Sequence, residues 1–287
     1  MLLVQVLQGL MEGVGLFLIA SGLTLIFGVS RIVNFAHGSF YMLGAFLTYQ
    51  LYPYLAQGTV LGFYGTILLC GLIVAVVGLL FEVLILRRVY GQEELMQLVM
   101  TVAAVLVVRD VVKFFWGLDD LSVPLPRPLA GALVVHGTYL PVYQLAMVGA
   151  GVLVLAVIWA TLRFTRAGIV LRAATDDRGM VALLGINQAH VFTAVFAAGS
   201  FLAGVAGGLM AAFETINYLL DARIIVPAFI VVVIGGLGNL YGALAGALAV
   251  GVLKALGLLY APRLSMVLIF LLMAVVLLAR SLRRTAE

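Results

Sequence analysis

"LTLIFGVSRIVNFAHGSFYMLGAFL", residues 23–47, joins two apolar stretches through a break that carries Gly28, Ser30, Arg31, Asn34, His37 and Gly38. The flanks suit lipid and the break does not, so the surrounding solvent decides the fold. The mean hydropathy of the 287 residues is +1.24, with 65% hydrophobic and only 10% charged. Soluble chains carry charge on roughly a quarter of their residues, so this is an integral membrane protein. A helix needs about 20 apolar residues to cross a hydrocarbon core. Such runs lie near 10–29, 41–57, 64–86, 95–116, 139–162, 190–213, 224–238, 240–260 and 264–280. They predict an all-α polytopic bundle of eight or nine transmembrane helices, forming a single transmembrane domain over residues 1–287.

The first run has no basic segment before it and no small-residue cleavage site after it, and reads as retained. The polar intervals 117–138 and 163–189 are too short to bury cores of their own. Cys70 stands alone, so no intramolecular disulfide forms. The net charge of +4 and pI near 9.3 come from residues that mark helix ends rather than a nucleic-acid patch. Arg87 and Arg88, then Arg163, Arg166, Arg172 and Arg178, then Arg280, Arg283 and Arg284 mark three cytoplasmic places by the positive-inside rule. The interval "GLDDLSVPLPRPLAGALVVHGT", with Asp119, Asp120 and three prolines, belongs outside. Counting crossings puts Arg31 inside and the N-terminus outside, unless a half-crossing near Asn34 changes the parity.

Non-helical backbone at membrane depth is tolerated only where protein or a water-filled cavity satisfies it. The break therefore has two readings. In one, 28–34 is a short cytoplasmic turn, with Arg31 snorkelling and Asn34 capping the next helix. In the other, Asn34, His37 and Ser39 line or gate a pathway. Glu82 and the Arg109, Asp110, Lys113 group fall inside apolar runs, where ionisable side chains usually pair. Glu214 reads as a solvated position near the outer mouth. Gly204 with Gly208, and Gly242 with Gly246, mark faces where helices can pack closely. The stretch 23–47 has an echo in "VVVIGGLGNLYGALAGALAVGVL", residues 231–253, of the kind left by duplicated transporter halves. No phosphate-binding loop, zinc-protease helix or nucleophile elbow is present, and His37, His136 and His190 are scattered. Enzymatic work and a resident cofactor are not expected.

The loop "RFTRAGIVLRAATDDRGMVALLGINQAH", residues 163–190, predicts a short amphipathic helix. Ile169, Val170, Ala173, Ala174, Val181 and Leu184 supply its apolar positions, and Arg172, Asp176, Asp177 and Arg178 its polar ones. Such a helix can lie on the membrane, connect two spans, or dock on a soluble partner.

Gly22–Ala45, Arg172–Asn187 and Val231–Gly251 resemble, in order and spacing, three signatures of the branched-chain amino acid ABC transporter permeases, specifically the smaller permease subunit. The pattern is carried by Asn34, Phe35, Ala36, His37 and Gly38; by Arg172, Ala173, Asp177, Ala182, Gly185 and Ile186; and by Gly235, Gly236, Gly238 and Gly242. Leu16, Ser39 and the pair Gly179 and Met180 depart from it, standing where a tyrosine, an acid and a more helix-favouring pair are common. The resemblance implies an importer of hydrophobic amino acids across the bacterial inner membrane. Its expected partners are a second permease chain, two cytoplasmic ATP-binding subunits that hold ATP and magnesium, and a periplasmic substrate-binding protein. It implies a substrate pathway near Asn34, His37, Gly38, Ser39, Gly235, Gly236, Gly238 and Asn239. It further implies a coupling helix built on Arg172, Ala173, Asp176, Asp177, Ala182, Leu183, Gly185 and Ile186. A stand-alone channel or secondary transporter for a small neutral solute such as urea or an amide is the competing reading.

The arginine distribution makes a direct prediction about sidedness. Single cysteines at Arg88, Asp177 and Arg283 are expected to react with an impermeant thiol reagent only from the cytoplasm, and one at Asp120 only from outside. Labelling of Asp177→Cys from outside would invert the topology.

Overall fold

The computed structural model describes residues 2–56, 58–135 and 138–284; His136 lies outside the described residues. The described helices are α1 (Leu2–Ser30), α2 (Ala36–Leu55), α3 (Val60–Leu84), α4 (Glu94–Trp116), α5 (Val142–Phe164), α6 (Arg166–Asp176), α7 (Arg178–Leu183), α8 (Gln188–Met210), α9 (Leu220–Gly235), α10 (Leu240–Tyr260) and α11 (Ser265–Arg284). Each of the nine apolar runs falls on one of these helices. Six of them, α1, α3, α4, α5, α8 and α10, contain stretches long and apolar enough to cross a membrane. The helix α9 has 16 residues, and α2 carries His37, Ser39 and Thr48 among its buried side chains, so neither qualifies by length and composition. Helical patterning does not signal the hairpin in which β1 (Ala132–Val135) pairs antiparallel with β2 (Thr138–Pro141); β2 takes the first three residues of the 139–162 run, so α5 starts only at Val142.

Burial ranks the helices. In α1, 83% of the spanning stretch is buried, against 11% in α4 and 17% in α5. The first helix is thus the central post, and α4 and α5 turn most of their apolar surface outward. Lipid supplies no hydrophobic drive between helices, so close backbone approach has to hold them together. Glycine provides it. A Cβ at Gly44 on α2 would stand 2.6 Å from the Gly204 Cα on α8, and a Cβ at Gly204 would stand 2.8 Å from the Val74 Cβ on α3. The helix α8 is therefore wedged between α2 and α3. Gly242 packs on Gly235, and a Cβ at Gly246 would lie 3.0 Å from the Val231 carbonyl oxygen, so the small-residue faces read from sequence do pack closely.

Contacts also sort the chain by end. Gly28, Thr175 and Gly238 meet at one end, and Val29, Ala174, Val181 and Val195 form an apolar cluster there. At the other end Gly9 lies against Val252, Gly257 against Ser265, and the Asn217 amide nitrogen donates to Asp120 Oδ1 at 2.9 Å. The arginine-rich loop and the acidic interval thus lie at opposite ends.

Gly44→Ala forces a methyl into the Gly204 backbone, and overpacking of this kind costs about 1–3 kcal/mol. Its melting temperature in detergent is expected to fall by about 5 °C. Gly65→Ala, which meets no atom within 4 Å, should leave that temperature unchanged or slightly higher.

Candidate functional site

The break occupies residues 31–35, between α1 and α2. Arg31 turns the chain with φ 54°, a conformation side chains rarely adopt. His37 and Ser39 are not in the break, as the gating reading had them, but on the first turn of α2. His37 Nε2 lies 3.0 Å from the Ile19 carbonyl oxygen. Ile19 precedes Ser30 by eleven residues, about 16 Å back along the helix. The chain therefore re-enters the bundle, and α2 begins in the interior. Asn34 does not cap α2, as the turn reading expected. Its side chain is fully buried, and neither its oxygen nor its nitrogen has a partner among the described residues. His37 Nδ1 is likewise buried and without a partner. An unsatisfied buried amide costs about 1–3 kcal/mol and contributes nothing to the fold, which marks the position as a functional candidate.

A second helix start meets this one. A Cβ at Gly38 would lie 2.8 Å from the Asp221 carbonyl oxygen, so the first turns of α2 and α9 touch. Asp221 is buried, and Ser39 Oγ donates to its Oδ2 at 3.3 Å. Arg109 Nε on α4 donates to both carboxylate oxygens at 2.9 Å, and the Ala222 amide donates to Oδ1 at 2.7 Å. Arg109 is thus paired across the bundle and not within its own helix. Lys113 takes Asp110 at 2.6 Å, where Asp110 is exposed. Glu82, fully buried, accepts from Arg87 Nη2 at 3.0 Å, from the Tyr90 hydroxyl at 3.0 Å and from Thr193 Oγ1 at 2.8 Å. Glu214 is half-buried rather than freely solvated, and accepts a hydrogen bond from the Tyr41 hydroxyl.

The glycine group lies elsewhere. Gly236 and Gly238 take φ 96° and 82° in the turn from α9 to α10, where side chains would be strained. Asn239 Oδ1 caps α10 by accepting from the Gly242 amide at 3.1 Å. Gly238 and Asn239 line a cavity of about 480 Å³ together with Trp159, Arg163 and Arg172. These residues border the loop, and Gly235 faces α10, so the structure does not gather them around Asn34.

The loop is two helices, not one. Asp177, at φ −145° and ψ 104°, ends α6, and its Oδ1 accepts from the Met180 amide at 3.1 Å to start α7. Thr165 caps α6 by accepting from the Gly168 amide at 3.0 Å. Ala174 and Val181 are buried against Val29 and Val195 at the ends of α1 and α8. Ile169, read with Ala174 and Val181 among the apolar positions of a single helix, is exposed. Met180, Leu183 and Leu184 are exposed with it, beside the exposed Arg172, Ala173, Asp176, Asp177 and Ala182. Half-buried Ile186 packs on the inner cluster, and Gly185 leaves the loop at φ 79° with open space around it. Sequence reading passed over Asp221. An acid opening an apolar run was the available signal.

Residues 5–277 match the family described as branched-chain amino acid transport system / permease component. The chain is 30% identical to the Escherichia coli K12 high-affinity branched-chain amino acid transport system permease protein LivH, over 89% of this chain and 86% of that one. It is 27% identical to the Pseudomonas aeruginosa permease protein BraD, over 88% and 85%. It is 26% identical to a probable permease of this kind from Methanocaldococcus jannaschii, over 84% and 76%. No solved structure matches.

Removing one partner of a buried ion pair leaves the other uncompensated, at about 3–5 kcal/mol. Asp221→Ala is therefore expected to lower purified yield and melting temperature sharply. The double variant Asp221→Leu with Arg109→Leu should recover most of the loss. A single variant as stable as the wild type would show that the pair does not hold α4, α2 and α9 together.

Proposed function

The chain belongs to the family of branched-chain amino acid transport system permease components, and from that premise we propose that it forms the membrane pathway of an ABC importer for branched-chain or other neutral, hydrophobic amino acids. Its partners are a second permease chain, two ATP-binding subunits and a periplasmic binding protein. It sits in the bacterial inner membrane with the 163–189 loop and the C-terminus in the cytoplasm.

The observation that carries the reading is the two-sided loop. Its outer side offers the exposed Ile169, Met180, Leu183 and Leu184, flanked by charges, which suits docking in a groove of a soluble partner. Its inner side is packed through Ala174 and Val181 on the ends of α1 and α8. A displacement of the docked face therefore reaches α1 directly, and with it the break at 31–35. Thr175 lies beside Gly28 and Gly238, so the same displacement reaches the turn into α10. Alternating access follows if a partner binds one arrangement of α6 and α7 better than the other, since only differential contact shifts such an equilibrium. Asn34 and His37 are the groups expected to find partners in the alternate arrangement. Proton coupling would favour an unpaired carboxylate on a membrane helix, whereas the buried carboxylates Glu82 on α3 and Asp221 on α9 are matched to Arg87 and Arg109.

Ala173 is exposed on the outer side, so Ala173→Asp is expected to leave the permease folded. In reconstituted complexes it should lower association of the ATP-binding subunits, or substrate-stimulated hydrolysis, by on the order of tenfold. Assembly, hydrolysis and import at wild-type rates would make the loop a plain connector.

A further inference from the structure

A cavity of about 440 Å³ lies between α1, the 211–219 connection, α9, α10 and α11. Four ionisable side chains line it: Glu12, Glu214, Arg223 and Lys254. Two are acids and two are bases. The rest of the wall is largely aliphatic and aromatic, including Ile230, Val250, Ile269 and Phe270. The volume falls within the range of small-molecule sites, which are mostly apolar with a few placed polar groups.

Structural pairing accounts for part of this set. Lys254 and Glu12 form a close ion pair, and Glu214 is held by the Tyr41 hydroxyl. Arg223, exposed at the rim, makes no ion pair among the described residues, although its charge acts on Glu214. Glu214 likewise makes no ion pair among the described residues. Pro227 lines the same cavity inside α9 and has no amide hydrogen to donate to the carbonyl four residues back, that of Arg223.

We infer that this cavity binds a free zwitterionic amino acid with an aliphatic side chain. Arg223 receives the carboxylate, Glu214 and the Arg223 carbonyl receive the ammonium, and Ile230, Val250, Ile269 and Phe270 hold the side chain. One acid and one base without an ion pair, Glu214 and Arg223, suit a ligand with no net charge and offer a fatty acid or an amine only half of its partners. An aliphatic side chain on such a ligand removes apolar surface from water at roughly 25 cal/mol per Å². The inference rests on the amino-acid permease reading, and it places a binding step in this chain as well as in the separate binding protein.

The test uses the assembled importer in detergent and in vesicles, without its binding protein for the binding arm. Tritiated L-leucine is expected to bind saturably, and to be displaced by L-valine but not by isovalerate or isoamylamine. Arg223→Gln should weaken that binding by on the order of tenfold and raise the KM for import more than it lowers the maximal rate. Arg223→Lys should lie between the two, and Arg88→Gln should match the wild type. Elution profile and melting temperature report whether each variant is folded. If wild-type complex imports leucine while Arg223→Gln changes neither binding nor KM, the site is overturned and the permease reading stands. Displacement by isovalerate or isoamylamine equal to that by valine also overturns the site. If the wild-type complex imports no neutral amino acid, the permease reading fails and the site fails with it.

Discussion

Two helix starts meet inside an apolar bundle, and one carboxylate makes that possible. Each helix N-terminus brings unpaired amides and a partial positive charge. Asp221 answers with two oxygens that take the Ala222 amide, the Ser39 hydroxyl and the Arg109 guanidinium. Gly38 lets the two starts touch because any side chain there would meet the Asp221 carbonyl oxygen. Once α2 and α9 begin at depth, the chain must re-enter the bundle after α1 and again after α8. The non-helical stretches 31–35 and 211–219 follow from that requirement, and so does the burial of Asn34, Ile216 and Asn217 within them.

The same constraint explains the central position of α1 and the wedged position of α8. Both helices lead directly into a re-entering stretch, so both need neighbours on nearly every side. Leucine-sized contacts would keep those neighbours too far apart to shield exposed backbone. Gly44, Gly204 and Gly71 let the backbones of α2, α8 and α3 close on one another, and packing then supplies the cohesion that lipid cannot. The outer helices α4 and α5 carry no such burden and present ordinary apolar faces.

Local patterns were legible in the sequence, and distant pairings were not. Hydropathy located nine helices because each run declares its own solvent. The 163–190 loop was legible as amphipathic, but its division at Asp177 depended on a single capping bond that periodicity ignores. Asn34 and His37 stood out as polar residues in an apolar region, yet their depth is set by the contact with Ile19, eighteen residues away. Arg109 was read against its neighbours Asp110 and Lys113, while its partner Asp221 lies 112 residues on. Charge in a sequence shows that a partner is needed. Only the fold shows which partner it is.

The loop and the interior meet where the backbones of Gly28 and Gly238 approach, with Thr175 of α6 across a small cavity of about 220 Å³. Gly28 and Gly238 approach so closely that a Cβ on either would lie 3.1 Å from the other's Cα, with the Thr175 methyl just beyond. Gly28 is two residues from the end of α1, and Gly238 sits in the positive-φ turn that starts α10. A shift of α6 into that cavity meets backbone rather than side chain, because Gly28 and Gly238 have none. Closing the cavity would displace backbone, either the turn into α10 or the end of α1. The end of α1 is continuous with the stretch that carries Asn34, whose amide is unsatisfied in the present arrangement. An element that borders the loop at one end and is left polar and unpaired at the other has little to lose by moving, which is the property a transmitting segment requires.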